Sequence, residues 1–173
     1  MVLKVIKKLI FILLLYSINT YPQDYKTFYN SNENFEYSID YPKDCEIIKT
    51  ERAVKFILTQ SNKSKSKGNI IIIVNNISPF KDFEEFEKFW LKGISSNLED
   101  FELIVEGRIM VDNKVGFYYV YKGKDNGRLL KYKRYSIDNS PNIYEIIYET
   151  DERKFDSNVD LFDEIVNTIK IKK

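Results

Sequence analysis

Apolar and polar residues alternate along much of this chain, a pattern typical of β-strands with one buried face. The first such run, Phe35 to Tyr41, places four large apolar side chains at every second position and stops at Pro42. Five consecutive apolar residues at 70–74 indicate a central strand that is covered on both faces. In total the pattern predicts eight strands, at 35–42, 47–48, 53–58, 69–77, 101–111, 115–121, 129–137 and 143–148.

Two other segments have apolar residues at three- and four-residue spacing, which predicts amphipathic helices. The first follows Asp82, and Glu85 three residues later completes a capping-box pattern. Its apolar stripe comprises Phe83, Phe86, Phe89, Trp90, Ile94 and Leu98. The second comprises Phe155, Val159, Phe162, Ile165, Val166 and Ile169. Because only two helices accompany many strands joined by short links, we expect an α+β fold: a single twisted, mostly antiparallel sheet with two amphipathic helices packed on it.

The N-terminal segment has the layout of a secretory signal peptide. Lys7 and Lys8 precede the apolar run 9–16, and polar residues follow. The run is shorter than the roughly 20 residues that span a membrane. We therefore predict a signal peptide at 1–22, a flexible lead-in at 23–34 and one domain at 35–173. Cleavage leaves no membrane span and places the protein in the periplasm or outside the cell. An uncleaved signal anchor stays open, because Ser17 and Asn19 are the best small pair for cleavage.

Composition excludes several kinds of chemistry. The chain has no histidine, which removes serine–histidine and cysteine–histidine catalysis and nearly all transition-metal sites. The single cysteine, Cys45, cannot form an internal disulfide, and we interpret it as a small buried apolar side chain. A net charge of +1 gives no global attraction to nucleic acid. The sequence therefore predicts no cofactor, no metal and no catalytic residue. Carboxylate pairs such as Glu99 with Asp100, or Asp151 with Glu152, leave a hydrolase as a third possibility.

One charge pattern offers a possible interaction surface. Lys131, Lys133 and Tyr135 share one face of a predicted strand, and Glu145 and Glu149 share one face of the next. If the register aligns the two sets, they form cross-strand ion pairs on an exposed sheet face. The same residues could instead form a mixed-charge, tyrosine-containing contact surface for a partner protein.

Four segments resemble the PsbP-like fold family, which includes a photosystem extrinsic subunit, a Ran-binding protein and small exported bacterial proteins. They are the opening strand Phe35–Pro42, the helix Phe83–Leu98, the turn Asp112–Phe117 and the final helix Phe162–Ile169. The resemblance covers the chain from Phe35 to its end, but the tryptophan that usually follows the opening proline is absent. The resemblance implies a fold and favours accessory or protein-binding roles.

These observations together predict an exported, non-catalytic accessory or protein-interaction module with an unidentified protein partner. An alternative is a binder of a small or lipid-like ligand in a cleft between sheet and helix.

Overall fold

The structure is a computed structural model that describes residues 24–172, except residues 33, 52, 61 and 62. The predicted signal peptide, residues 1–22, lies outside the described residues. In chain order the strands are β1 (Tyr25–Asn30), β2 (Tyr37–Pro42), β3 (Glu46–Lys49), β4 (Ala53–Gln60), β5 (Lys63–Asn76), β6 (Glu99–Val111), β7 (Lys114–Asp125), β8 (Arg128–Asn139), β9 (Asn142–Asp151) and β10 (Lys170–Ile171). The helices are α1 (Phe83–Asn97), α2 (Glu152–Phe155) and α3 (Val159–Asn167).

The strands form two antiparallel sheets. The larger sheet has seven strands in the order β3-β4-β5-β9-β8-β7-β6, and the smaller has the order β1-β2-β10. Two hairpins of the larger sheet turn through pairs of left-handed residues: Asp112-Asn113 joins β6 to β7, and Asn126-Gly127 joins β7 to β8. Such pairs match the twist of the strands that they connect. The predicted tight turn at 112–114 is thus a two-residue hairpin turn.

We call the two sides of the seven-stranded sheet the core face and the helix face. On the core face, the three-stranded sheet and α3 enclose one large apolar cluster. Its members with 1% exposure or less include Ile39, Phe56, Ile70, Ile72, Ile137, Tyr144, Ile146, Tyr148, Phe162, Ile165, Val166 and Ile169. On the helix face, α1 packs over two smaller clusters formed with residues of β7, β8 and β9. The molecule therefore has three layers, with the larger sheet in the middle.

The α1 helix begins where the sequence predicts. The Asp82 side chain accepts a hydrogen bond from the Glu85 amide at 2.9 Å. Glu85 in turn accepts a bond from the Lys81 amide at 2.6 Å, one residue before the position expected of a capping box. Phe83 and Phe86 are buried against the sheet, as the apolar stripe predicts, whereas Phe89 is 64% exposed.

The α+β class and the antiparallel pairing are confirmed, and three details differ from the sequence predictions. Residues 25–30, assigned to a flexible lead-in, form β1 and pair with β2 over their whole length. The prediction failed because only Phe28 of β1 is buried, so its sequence carries almost no alternation. Strands expected in one sheet are divided between two, and the one-turn helix α2 was not predicted.

Candidate functional site

A buried ionic cluster lies between α1 and the helix face. It joins Arg134 of β8 to Glu87 of α1 and Glu145 of β9. Arg134 is fully buried, and the two glutamates are 3% and 1% exposed. Burying three ionisable groups is costly unless each is paired and hydrogen-bonded. The cluster is therefore an unusual feature of the protein interior, and buried, interacting ionisable groups of this kind are common at functional sites.

The Arg134 guanidinium holds both carboxylates. Its two Nη atoms donate to the two oxygens of Glu87, at 2.6 and 3.1 Å, in a bidentate pair. Its Nε donates to Glu145 Oε2 at 2.9 Å. Bidentate, charge-assisted bonds of this kind fix orientation as well as contributing energy. As a result, α1 is tied through one side chain to the two central strands β8 and β9.

Polar and aromatic neighbours complete the cluster. The Ser136 hydroxyl donates to Glu87, and the Asn75 amide donates to Glu145. Above the guanidinium, the Trp90 ring centroid lies 3.5 Å from Arg134 Cζ. The Tyr119 ring lies 5.6 Å away on another side. A desolvated cation over an indole ring is held by the ring quadrupole, so Trp90 contributes to the electrostatics as well as to packing.

The cluster holds two acidic groups for one basic group. Burial raises the pKa of Glu145 above its ordinary range, an effect that neighbouring Arg134 opposes without cancelling. The carboxylates in turn raise the pKa of Arg134, although burial alone would lower it. The guanidinium therefore stays charged at any physiological pH, and burial disfavours the ionised form of Glu145.

The positions of Arg134 and Glu87 in the sequence indicate a buried ion pair, although the other charges of β8 and β9 suggested an exposed surface. Tyr132, Arg134 and Ser136 occupy every second position of β8 and therefore share one face, on which the Tyr132 side chain is buried. Glu87 lies four residues after Phe83 and three before Trp90, which places it on the apolar stripe of α1. Charged residues at positions that periodicity assigns to a buried face indicate an internal ion pair.

A cleft of about 370 Å³ opens beside the cluster, between α1 and strands β6 and β7. Buried Glu87 and Tyr119 line its inner part. The remaining lining residues are Glu84, Lys88, Leu91, Glu106, Arg108 and Phe117. Arg108 donates to Glu84 across the mouth at 2.9 Å, and both side chains are largely exposed. The cleft thus has an aromatic and acidic interior and a rim of mixed charge.

The predicted surface residues of β8 lie on the opposite side of the sheet. The register pairs Lys131, Lys133 and Tyr135 with Thr150, Tyr148 and Ile146, which are buried residues of the core face. Lys133 binds Asp163 of α3 at 2.6 Å, and the Tyr135 hydroxyl donates to the same carboxylate at 3.0 Å. Lys131 binds exposed Asp156 at 3.0 Å. These three residues fasten the segment containing α2 and α3 to the sheet.

Glu145 and Glu149 lie on the helix face. The prediction that they form cross-strand ion pairs with Lys131 and Lys133 is therefore wrong. The register places Glu145 opposite Ser136, and Glu149 opposite Tyr132. Glu149 accepts a bond from the Asn69 amide at 2.7 Å and lies 3.8 Å from Lys55. A one-residue difference in register transfers a side chain to the other face of a sheet, and the sequence does not fix the register of this hairpin. The five residues do not form one surface.

The other candidates for chemistry are separate from the cleft. Glu99 and Asp100 both bind Lys124, at 3.6 and 2.6 Å. Asp151 caps α2, and Glu152 binds Lys122 at 3.4 Å.

Among the described residues, no group of three or more acidic or cysteine side chains is placed to hold a metal ion. Burial raises the pKa of the Cys45 thiol to about 11, so this half-buried side chain stays protonated at neutral pH. No helix in the described part of the chain is long and apolar enough to cross a membrane.

Comparison with known proteins gives solved structures but no sequence match. No family model matches the chain, and no curated protein matches it. The solution structure of cyanobacterial PsbP (CyanoP) from Synechocystis sp. PCC 6803 has a TM-score of 0.62 at 16% identity. That match covers 89% of this chain and 96% of CyanoP.

Two further structures match over similar lengths. LpqN, involved in cell envelope biogenesis of Mycobacterium tuberculosis, has a TM-score of 0.62 at 14% identity and covers 86% of this chain and 92% of its own. The Ran-binding protein Mog1p of Saccharomyces cerevisiae has a TM-score of 0.60 at 10% identity, with coverages of 86% and 95%. At such identities, likeness demonstrates a shared architecture. The chain therefore has the PsbP-like fold.

Proposed function

We propose that this chain is an exported, non-catalytic accessory protein that binds a partner protein at the cleft between α1 and β6–β7. The observation that carries the proposal is the contrast between the interior of the cleft and its rim. Glu87 in the interior is held on both oxygens by Arg134. Lys88 on the rim is exposed and forms no ion pair with another described residue.

The fixed interior argues against hydrolysis. A glycoside hydrolase separates its two carboxyl groups so that the sugar and an attacking group fit between them. Here the Arg134 guanidinium bridges Glu87 and Glu145, and Glu145 is only 1% exposed. Both carboxylates are therefore held in place by Arg134 and cannot move apart to admit a substrate. The chain also has no histidine to serve as a base.

The rim suits protein recognition. Leu91 and Phe117 supply partly exposed apolar surface, and they are surrounded by charged side chains of both signs. Protein interfaces combine an apolar and aromatic centre with a polar rim in this way. Mog1p, which shares the fold, is a Ran-binding protein. LpqN, with the same fold, acts in cell envelope biogenesis, and this agrees with the signal-peptide pattern of residues 1–22.

A photo-cross-linking amino acid at position 88, on the cleft rim, tests the proposal in intact cells. The matched control places it at position 26, because Lys26 is equally a surface lysine but lies on β1 in the outer layer. We expect a discrete adduct with a different protein from position 88 and none from position 26. Intact mass of the uncross-linked chain from the same cells also reports the N-terminus, which the leader places between about residues 18 and 25.

Three results would contradict the proposal. They are an adduct only with a second copy of this chain, equal adducts from both positions, or a chain that retains its leader in the cytoplasmic fraction. A Glu84→Lys variant carrying the cross-linker at position 88 reverses an exposed charge on the rim, so it should lose most of the adduct while its circular dichroism spectrum stays unchanged.

A second candidate function is the binding of a small ligand in the same cleft. Its volume falls in the lower part of the range of about 300–1,000 Å³ that is usual for ligand pockets. The charged lining favours a polar ligand over a lipid chain. A low-mass species that stays bound to the native protein in mass spectrometry, and is lost in Tyr119→Trp, would favour this function over protein binding.

A further inference from the structure

The outer edge of β6 is a long strand edge with exposed apolar side chains. β6 ends the seven-stranded sheet and pairs with β7 on one side only. Ile104, Val105 and Met110 are 42%, 43% and 60% exposed. The opposite edge, β3, has only four residues. An exposed strand edge presents unpaired backbone amides and carbonyls, and it therefore acts as a template for another strand unless something blunts it.

Only the first half of β6 has irregularities that oppose pairing with another strand. The pairing of β6 with β7 shifts between Glu99 and Glu102 and again between Leu103 and Val105. Such bulges distort an edge and oppose further pairing. From Val105 to Val111 the register runs without interruption, which leaves a regular edge of seven residues.

We propose that this edge pairs antiparallel with the same edge of a second copy of the chain, about a two-fold axis at Gly107. The axis is perpendicular to the sheet, so β6 and its symmetry mate join two seven-stranded sheets into one continuous sheet. Contact of a surface with its own copy is the usual geometry of homodimers.

Charge selects this register. Glu106 and Arg108 lie on the helix face, opposite Tyr119 and Phe117 of β7, and both are exposed. With the axis at Gly107, each Glu106 lies directly opposite Arg108 of the other copy, which gives two attractive pairs. An axis one residue earlier sets Glu106 against Glu106, and an axis one residue later sets Arg108 against Arg108. Opposite charges across strands stabilise pairing and like charges oppose it.

The apolar residues match in the same register. Val105 lies opposite Ile109 of the other copy, so residues 105–109 of each copy pair without reaching the bulge between Leu103 and Val105. At the axis itself, the Tyr118 ring covers Gly107: its Cε1 lies 2.6 Å from the position that a Cβ would occupy. An aromatic ring over a glycine compensates for the missing side chain in a strand. We call the line along which the two β6 strands meet the seam. Two Tyr118 rings would therefore lie along the seam on the core face.

Pairing of this kind also places the two clefts together. Because the axis is perpendicular to the sheet, both helix faces point the same way, and the two α1 helices flank the seam. Glu106 and Arg108 line both the cleft and the edge. The dimer would thus present two adjacent copies of the cleft to one partner surface.

Charge reversal tests the proposal by sedimentation equilibrium of the full chain over a range of concentrations. We expect reversible dimers of the wild-type chain. Glu106→Arg and Arg108→Glu, each alone, should raise the dimer dissociation constant at least about tenfold, because both attractive pairs become repulsive. An equimolar mixture of the two single variants should form a heterodimer, since each copy then carries the complement of the other. The double variant should dimerise like the wild type.

A control variant distinguishes a change in the dimer interface from a change in folding. Glu84→Gln removes the intramolecular ion pair of Arg108 and leaves the β6 charges in place, so it should not weaken dimerisation. Circular dichroism of every variant checks that the sheet is intact. The proposal is overturned if the wild-type chain is monomeric at all concentrations, if the single reversals dimerise as tightly as the wild type, or if their mixture does not associate.

Discussion

The two faces of the seven-stranded sheet are both buried, but different forces hold them. On the core face, the small sheet and α3 pack mainly through aliphatic and aromatic side chains, and the partly exposed pair of Lys133 with Asp163 lies beside them. On the helix face, α1 is fixed by Arg134, Glu87 and Glu145 and by the rings around them. Arg134 and Tyr135 are adjacent in β8 and both are buried, yet they lie in these two different environments. Burial alone therefore does not describe the role of a position in this sheet.

The difference between the two faces has a consequence for the free energy of unfolding. The apolar face loses stability in proportion to the volume removed. The ionic face depends on complete pairing, because a carboxylate left without its partner in the interior costs more than the pair contributes. The substitutions below test this difference from the largest expected effect to the smallest, and the last two form a pair compared by pH dependence.

Arg134→Met should lower the free energy of unfolding by about 3–5 kcal/mol, because it leaves two carboxylates buried without a counter-charge. Urea denaturation measures the loss. Arg108→Met is the matched control, since that arginine is exposed and its pair with Glu84 lies at the surface, where about 0–1 kcal/mol is expected. Adding Glu87→Gln and Glu145→Gln to Arg134→Met should recover much of the loss. Failure of that rescue would show that Arg134 acts through its volume and not its charge.

Trp90→Leu should cost about 2 kcal/mol, since it removes the ring that lies over the desolvated guanidinium but keeps an apolar side chain. The loss should largely vanish when the same change is made in the Arg134→Met background, because the cation is then absent. This double-mutant cycle isolates the cation–ring interaction from packing. Equal losses in both backgrounds would assign Trp90 to packing alone.

Glu145→Gln should change stability by less than about 1 kcal/mol, because Arg134 and Glu87 remain as a balanced pair. Its pH dependence is more informative. The folded pKa of Glu145 is raised, so the folded protein retains a proton that the unfolded chain has released. Wild-type stability relative to Glu145→Gln should therefore be greatest below about pH 4.5 and should fall as pH rises through the folded pKa.

Ile137→Val on the core face provides the contrast for that measurement. Ile137 is fully buried, and removal of one methylene should cost about 0.5–1.5 kcal/mol. This cost should be the same at every pH, because no titrating group is changed. Urea titrations of the three proteins between about pH 4 and pH 8 test the pair together. A pH-independent difference for Glu145→Gln would contradict the raised pKa.

Local patterns in the sequence are sufficient to predict the α+β class of the fold. Period-two alternation located β2, the continuous apolar run at 70–74 located β5, and the apolar stripe with Asp82 and Glu85 located α1. These signals are local, since each depends on one segment burying one of its own faces. The family resemblance rested on the same segments, and the solved structures with this fold agree with it. The sequence failed at β1, where one buried side chain leaves no periodic pattern.

Contacts between distant segments bring the buried charges together and leave one sheet edge open, and no local pattern predicts either. Lys133 and Glu145 lie in neighbouring strands and looked like partners, but the β8–β9 register sends them to opposite faces. Glu87 and Arg134 are 47 residues apart, and only the packing of α1 on the sheet brings them within 2.6 Å. Strand order, likewise, is what leaves β6 at the end of the sheet. Register, packing and strand order depend on contacts between distant segments, whereas the periodicity of a segment reports only which of its own residues face inward.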